Sequence, residues 1–135
     1  MAEQLTFDVK HIYPDDVDGI TLEVILISGT TSTRTKAKLD CGADHCIFSR
    51  EVGLKLGIDI ESGLPKRMSS LTGTLDTFGH EITIQVAGIA LHSVVYFAKH
   101  AGLPRNLLGR HGCIRQMFVG LVDYDNTLYL SPYSR

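Results

Sequence analysis

The sequence has 135 residues, with 13 basic and 15 acidic side chains and a formal net charge of −2. This length suits one domain with a single core, which we expect to span residues 1–135. The slightly acidic balance gives no reason to expect a nucleic-acid or anionic-membrane partner. No apolar run approaches the ~20 residues of a membrane span.

The N-terminal residues and the cysteines predict a cytoplasmic location. Residues 1–4 have neither the basic region nor the apolar core of a secretory signal. The three cysteines, Cys41, Cys46 and Cys113, are an odd number without CxxC spacing. This pattern fits reduced thiols in a reducing compartment better than a disulfide framework.

The first third of the chain predicts short β-strands. The N-terminal residues alternate weakly between apolar and polar side chains and end in a cluster of turn-forming residues. Residues 1–18 are therefore interpreted as an extension or an extra strand. Residues 20–27 are rich in β-branched side chains and predict a strand. A polar loop is expected over residues 28–33. In residues 34–39, charged or polar side chains alternate with small or apolar ones, and this run leads into Asp40.

Helical signals are few. Residues 49–57 predict a short helix, because Ser49 suits the N-cap and Gly57 suits the position after the last turn. Gly53 weakens that helix. One or two helical turns are also expected over residues 112–117.

The remainder of the chain predicts further strands. Residues 65–75 are expected to be extended. Residues 82–86 and 91–97 predict a hairpin around an Ala-Gly pair. A final hairpin is predicted from residues 118–122 and 127–130. Many short strands with one or two small helices indicate an all-β, closed or folded-over structure.

Two short stretches carry the chemistry. The first reads Asp40-Cys41-Gly42-Ala43-Asp44. The second follows roughly half the chain later and reads Asn106-Leu107-Leu108-Gly109-Arg110. A carboxylate held by backbone at a strand end, as expected for Asp40, is well positioned to act as a catalytic acid or base. Gly42 lets the backbone approach closely or take a positive φ.

Together the two stretches resemble the signatures of retropepsin-like aspartic proteases. In that family Asp-Thr/Ser-Gly-Ala-Asp is followed, at this distance, by two apolar residues and Gly-Arg. The resemblance runs from about residue 20 to the end and implies a small, closed, barrel-like subunit of an acid protease. It also implies an endopeptidase that hydrolyses extended polypeptides as a homodimer, in which Asp40 meets its symmetry mate.

The resemblance assigns roles to other residues. Asp44 and Arg110 are expected to pair beside the active site and to brace bound substrate. A flap is expected within residues 68–80, and residues 127–133 are a candidate interface strand between subunits. The residues expected to support the catalytic turn are Cys41, Gly42, Ala43, Leu107, Leu108 and Gly109. The candidate flap residues are Leu71, Thr72, Gly73 and Thr74.

Cys41 departs from the family pattern. The usual Thr or Ser hydroxyl makes a buried hydrogen bond across the dimer, whereas a thiol is a weaker donor and acceptor. One alternative is therefore a catalytically weak or inactive module for dimerisation or peptide binding. Another is a monomer that assembles only at high concentration. Oxidation or modification of Cys41 is expected to block the site.

Histidines and cysteines near the two stretches raise the question of a metal site. The residues concerned are Cys41, His45, Cys46, His111 and Cys113. Their spacing is not a common zinc pattern, and adjacent residues of a strand point to opposite faces. We therefore expect no metal and no cofactor, and the expected partners are a second subunit and a peptide or protein substrate.

Overall fold

The computed structural model describes residues 1–134, which are mostly in strands. The strands are β1 (Val9–Ile12), β2 (Thr21–Ser28), β3 (Thr31–Leu39), β4 (Cys46–Phe48), β5 (Leu64–Ser70), β6 (Gly73–Val86), β7 (Ile89–Ala98), β8 (Asn106–Leu108), β9 (Met117–Val122) and β10 (Thr127–Pro132). The α-helix α1 spans Arg50–Lys55, and 3-10 turns lie at Ile60–Ser62, Ile114–Gln116 and Asp123–Asp125. The all-β prediction is confirmed. Within residues 1–134, every helix is too short or too polar to span a membrane.

Six strands close into a barrel. Their order is β2-β3-β8-β4-β7-β6, and β6 pairs back with β2. The β3–β8 and β4–β7 pairs are parallel, and the other pairs of the barrel are antiparallel. Closure pairs the strands on both sides, so the barrel needs no protected edge. The predicted small closed barrel is confirmed.

A separate three-stranded sheet has the order β1-β10-β9. β1 lies within residues 1–18, the segment interpreted from the sequence as an extension or an extra strand. β10 pairs with β1 on one side and with β9 on the other. Over residues 127–130 both backbone edges are therefore used within the subunit. Residues 127–130 thus have no free backbone edge for a second subunit, and an interface role for residues 127–133 stays a prediction.

One hydrophobic core joins the barrel and the three-stranded sheet. Phe48 and Phe97 are fully buried in the barrel, and Leu128 and Leu130 of β10 belong to the same cluster. Along most of β2 and the second half of β6, buried residues alternate with partly or fully exposed ones. Burying side chains of this size stabilises the fold by about 1.5–3 kcal/mol each.

The predicted short helix and the predicted hairpins are present. The Ser49 hydroxyl accepts a hydrogen bond from the Val52 N–H at 3.2 Å, as an N-cap does. Gly57 follows the helix with φ +78°. The β6–β7 hairpin turns at Ala87 and Gly88, which both have positive φ.

The predicted polar loop over residues 28–33 is wrong. The β2–β3 ladder continues to the Ser28–Thr31 pair, which leaves only Gly29 and Thr30 in the turn. This end of the hairpin is largely exposed, so its polar side chains need no apolar alternation to form a strand. Gly29 takes the positive φ that the tight turn requires.

Candidate active site

Asp40 lies directly after β3, in a turn held by its own backbone. Its N–H donates to the Leu108 carbonyl of β8 at 3.0 Å. Its side-chain Oδ1 accepts from the Gly42 N–H at 2.9 Å, and its carbonyl accepts from the Ala43 N–H at 3.2 Å. These contacts restrict the rotation of the half-buried carboxylate and hold it at the strand end.

The two motifs of the sequence lie side by side. β3 and β8 are parallel, with Leu39 opposite Leu108. Beyond the strands, the Arg110 N–H donates to the Ala43 carbonyl at 2.9 Å. The His111 N–H donates to the Asp44 carbonyl at 2.8 Å. The structure thus brings together the segments that the sequence pattern singled out.

Gly109 lies where these segments pack closely against each other. A Cβ there would lie 2.2 Å from the His45 carbonyl oxygen and 2.8 Å from the Ala43 carbonyl oxygen. Both atoms belong to the backbone, so neither can rotate away. A Cβ at Gly42 would lie 3.2 Å from Asp40 Oδ1, which is tight but less restrictive. Glycine at position 109 is therefore a steric requirement of the site.

The predicted ion pair between Asp44 and Arg110 is not formed in the single subunit. Both residues are exposed, and the four ion pairs among residues 1–134 involve other side chains. An exposed ion pair gains little in water, because solvent screens the charges and ordering the side chains costs entropy. Only the backbones of the two segments are joined here.

The candidate flap residues lie at the tip of an exposed hairpin. β5 and β6 pair up to Ser70 and Gly73, which leaves Leu71 and Thr72 in the turn. The Leu71 side chain is fully exposed. The predicted extended run over residues 65–75 is therefore two strands with a turn between them. β5 lies outside the closed barrel, so this hairpin is attached to it along β6 alone.

The three free cysteines fall into two environments. Cys41 is exposed beside Asp40, whereas Cys46 and Cys113 are buried. Burial raises the pKa of the Cys46 thiol to about 11 and also raises that of Cys113. Within residues 1–134, no three histidine, cysteine or acidic side chains converge as they would around a metal ion.

The side chain of Asn106, the first residue of the second motif, has a structural role that the sequence did not indicate. Its side-chain amide donates to the Lys36 carbonyl at 2.9 Å and to the Thr35 hydroxyl at 3.2 Å. Its side-chain oxygen accepts from the Ser49 N–H at 2.9 Å. These bonds tie β8 to β3 and to the start of α1. The partners are distant in sequence, so no local pattern indicated them.

A family model described as "Aspartyl protease" matches residues 21–111. The matched range contains the turn at Asp40, the exposed hairpin with Leu71 and the close approach at Gly109. No curated protein sequence matches the chain. Because the family model covers most of the sequence and coincides with the barrel and its two joined motifs, the chain belongs to the retropepsin-like aspartyl protease family.

Proposed function

We propose that this protein is an aspartic endopeptidase that hydrolyses extended polypeptides as a homodimer. The observation that supports the proposal is the carboxylate of Asp40, which accepts from the Gly42 N–H in a turn that the Asp40 N–H joins to Leu108, next to Gly109 in the second motif. Both motifs lie within the matched family range. The sequence has a single Asp-x-Gly. A mechanism with two carboxylates therefore needs a second copy, related by a two-fold axis.

In this mechanism the two Asp40 carboxyl groups share one proton, since two like charges held close do not both ionise easily. The ionised carboxylate takes a proton from water, and the water oxygen attacks the peptide carbonyl carbon. The protonated carboxyl donates its proton to the carbonyl oxygen. When this gem-diol collapses, the C–N bond breaks and the amine leaves with the proton that the dyad took from water. One gem-diol hydroxyl returns its proton to the dyad as the new carboxyl group forms, which restores the starting state.

The surrounding residues have proposed supporting roles. The hairpin tip around Leu71 would close over the substrate, exclude water and bind its main chain. Asp44 and Arg110 are the proposed substrate-bracing groups at the exposed side of the joined motifs. The substrate would bind as an extended strand, with pockets that read alternate side chains. A cytoplasmic location stays a prediction from the sequence.

A second candidate function is a non-catalytic module for dimerisation or peptide binding. The exposed thiol of Cys41 supports it, because the family places a hydroxyl at this position and a thiol is a weaker hydrogen-bonding group. In that case the fold would bind a partner or a peptide without efficient hydrolysis.

Cleavage of an unfolded protein, from roughly pH 3 to 8 and at several protein concentrations, separates the two functions. For an endopeptidase in monomer–dimer equilibrium, the rate rises faster than linearly with protein concentration below the dimerisation constant. A strictly linear rate from high dilution upward contradicts the homodimer. Absence of cleavage across the whole range favours the binding module.

Treatment of the folded protein with iodoacetamide is expected to modify one thiol per chain and to abolish cleavage. Only Cys41 is exposed, and burial with a raised pKa protects Cys46 and Cys113. An adduct on Cys41 would lie beside the catalytic carboxylate. Mass spectrometry identifies the modified residue, and Cys41→Ser serves as the resistant control. Full activity after complete modification of Cys41 would refute this expectation.

A further inference from the structure

A group of three polar rings lies at the end of the joined motifs. His45 follows the first motif and His111 follows the second, and their backbones form an isolated parallel bridge. Their ring centroids are 5.5 Å apart. The centroid of the Tyr96 ring, on β7, is 5.0 Å from that of His45. The backbone bridge therefore fixes two imidazoles side by side near the catalytic turn.

The charges around His45 come from three elements. Burial lowers the pKa of His45, the positive charges of Lys66 and His111 lower it further, and Asp44 in its own turn opposes them. Lys66 belongs to β5, the first strand of the exposed hairpin. Within the proposed enzyme, His45 thus follows the catalytic turn and experiences the positive charge of Lys66 at the base of the flap. An extended substrate passing under the flap would run beside these rings.

We propose that His45 and His111 form a proton-dependent subsite that selects an acidic side chain of the substrate under acidic conditions. This inference rests on the proposed peptidase function. A protonated imidazole donates from both ring nitrogens, and a neutral one donates from only one. Once His45 is charged, the positive charges of Lys66 and His111 act against it, and the carboxylate of Asp44 opposes them. A substrate carboxylate would relieve this repulsion.

The direction of the pH effect follows from these groups. Because the pKa of His45 is lowered from its ordinary value of 6.5, His45 is neutral at neutral pH and gains its proton only in more acidic solution. A substrate glutamate has an ordinary pKa of about 4.3, so it stays ionised at about pH 5.5. The preference for acidic side chains is therefore expected to appear below about pH 6.5 and to fade as the glutamate itself protonates.

Digestion of a mixture of unfolded proteins, followed by sequencing of the products, tests the proposal without a known cleavage site. At about pH 5.5 we expect glutamate to be favoured about fivefold over glutamine at one position near the cleaved bond, and at about pH 7.5 the two are expected to be equal. His45→Gln should remove the preference at the lower pH. His92→Gln, an exposed histidine on the same strand as Tyr96, should retain it. An equal ratio at both pH values, or a preference that survives His45→Gln, overturns the proposal.

A titration of the imidazole resonances by NMR tests the cluster independently of catalysis. His45 is expected to titrate below the ordinary histidine range and to move upward in His111→Gln, because a neighbouring positive charge is removed. The proposed subsite is overturned if the pKa of His45 is that of an ordinary histidine and does not change in the His111→Gln protein. Failure of the wild-type protein to cleave any substrate would instead overturn the peptidase function, so the two failures are distinguishable.

Discussion

Replacement of Asp40 with Asn is expected to reduce the rate of peptide cleavage by a factor between about 10² and 10⁴. Loss of a positioned general acid or base typically has an effect of this size. The asparagine side-chain oxygen can still accept the hydrogen bond from the Gly42 N–H, so the turn should keep its geometry. Steady-state cleavage of an unfolded protein, together with thermal unfolding at fixed concentration, measures both effects.

Asp59→Asn is the matched control for that experiment. Asp59 is exposed, and its side chain makes no capping hydrogen bond to the 3-10 turn that follows it. The same chemical change at this position should leave cleavage unaltered. Equal activity of the Asp40→Asn and Asp59→Asn proteins would show that Asp40 does not participate in catalysis. The non-catalytic binding module would then become the better account.

Gly109→Ala is expected to lower the free energy of unfolding by about 3 kcal/mol and to abolish activity. The new Cβ would meet the backbone carbonyl of His45 at 2.2 Å, and only displacement of the motif backbone can relieve that clash. Displacement would break the register that holds Asp40 against Leu108. Chemical denaturation at a fixed protein concentration measures the loss, because dimerisation makes apparent stability depend on concentration.

Gly88→Ala separates this steric effect from the general cost of removing a glycine. Gly88 has φ +81°, and a Cβ added there would meet no heavy atom within 4 Å. Its substitution should cost about 1 kcal/mol, from the left-handed backbone alone. Activity should remain, since the β6–β7 turn lies outside the joined motifs. A Gly109→Ala protein no less stable than Gly88→Ala would refute the close-packing argument.

The fold was predictable where local patterns and partners are close in sequence. Ser49 and Gly57 marked the ends of α1, and the hairpin at Ala87 and Gly88 followed from strand alternation on either side. The hairpin end at Gly29 was missed because its flanking residues are polar and exposed. They therefore lack the alternation of apolar and polar side chains that predicts a strand. The use of both edges of β10 depends on its pairing with β1, which a local pattern cannot indicate.

The candidate site was predicted in two ways. The turn at Asp40 was indicated by a strand that ends in an Asp-x-Gly, whereas Gly109 was implied by the resemblance of its motif to the family signature. The physical reason for Gly109, the close backbone of His45 and Ala43, comes from the structure. The expected pairing of Asp44 with Arg110 depended on two flexible, exposed side chains, and the single subunit does not form it. The arrangement of His45 and His111 arises from a tertiary backbone bridge between distant segments.

Mixing wild-type protein with Asp40→Asn protein at constant total concentration tests most directly whether two copies of Asp40 form one site. If subunits exchange freely and both carboxylates are required, only wild-type pairs cleave substrate, and activity follows the square of the wild-type fraction. An equal mixture should then retain about one quarter of the wild-type activity, as expected for random pairing of two subunits. Retention of about one half, with a linear dependence on the wild-type fraction, would mean that each subunit works alone and would contradict the account.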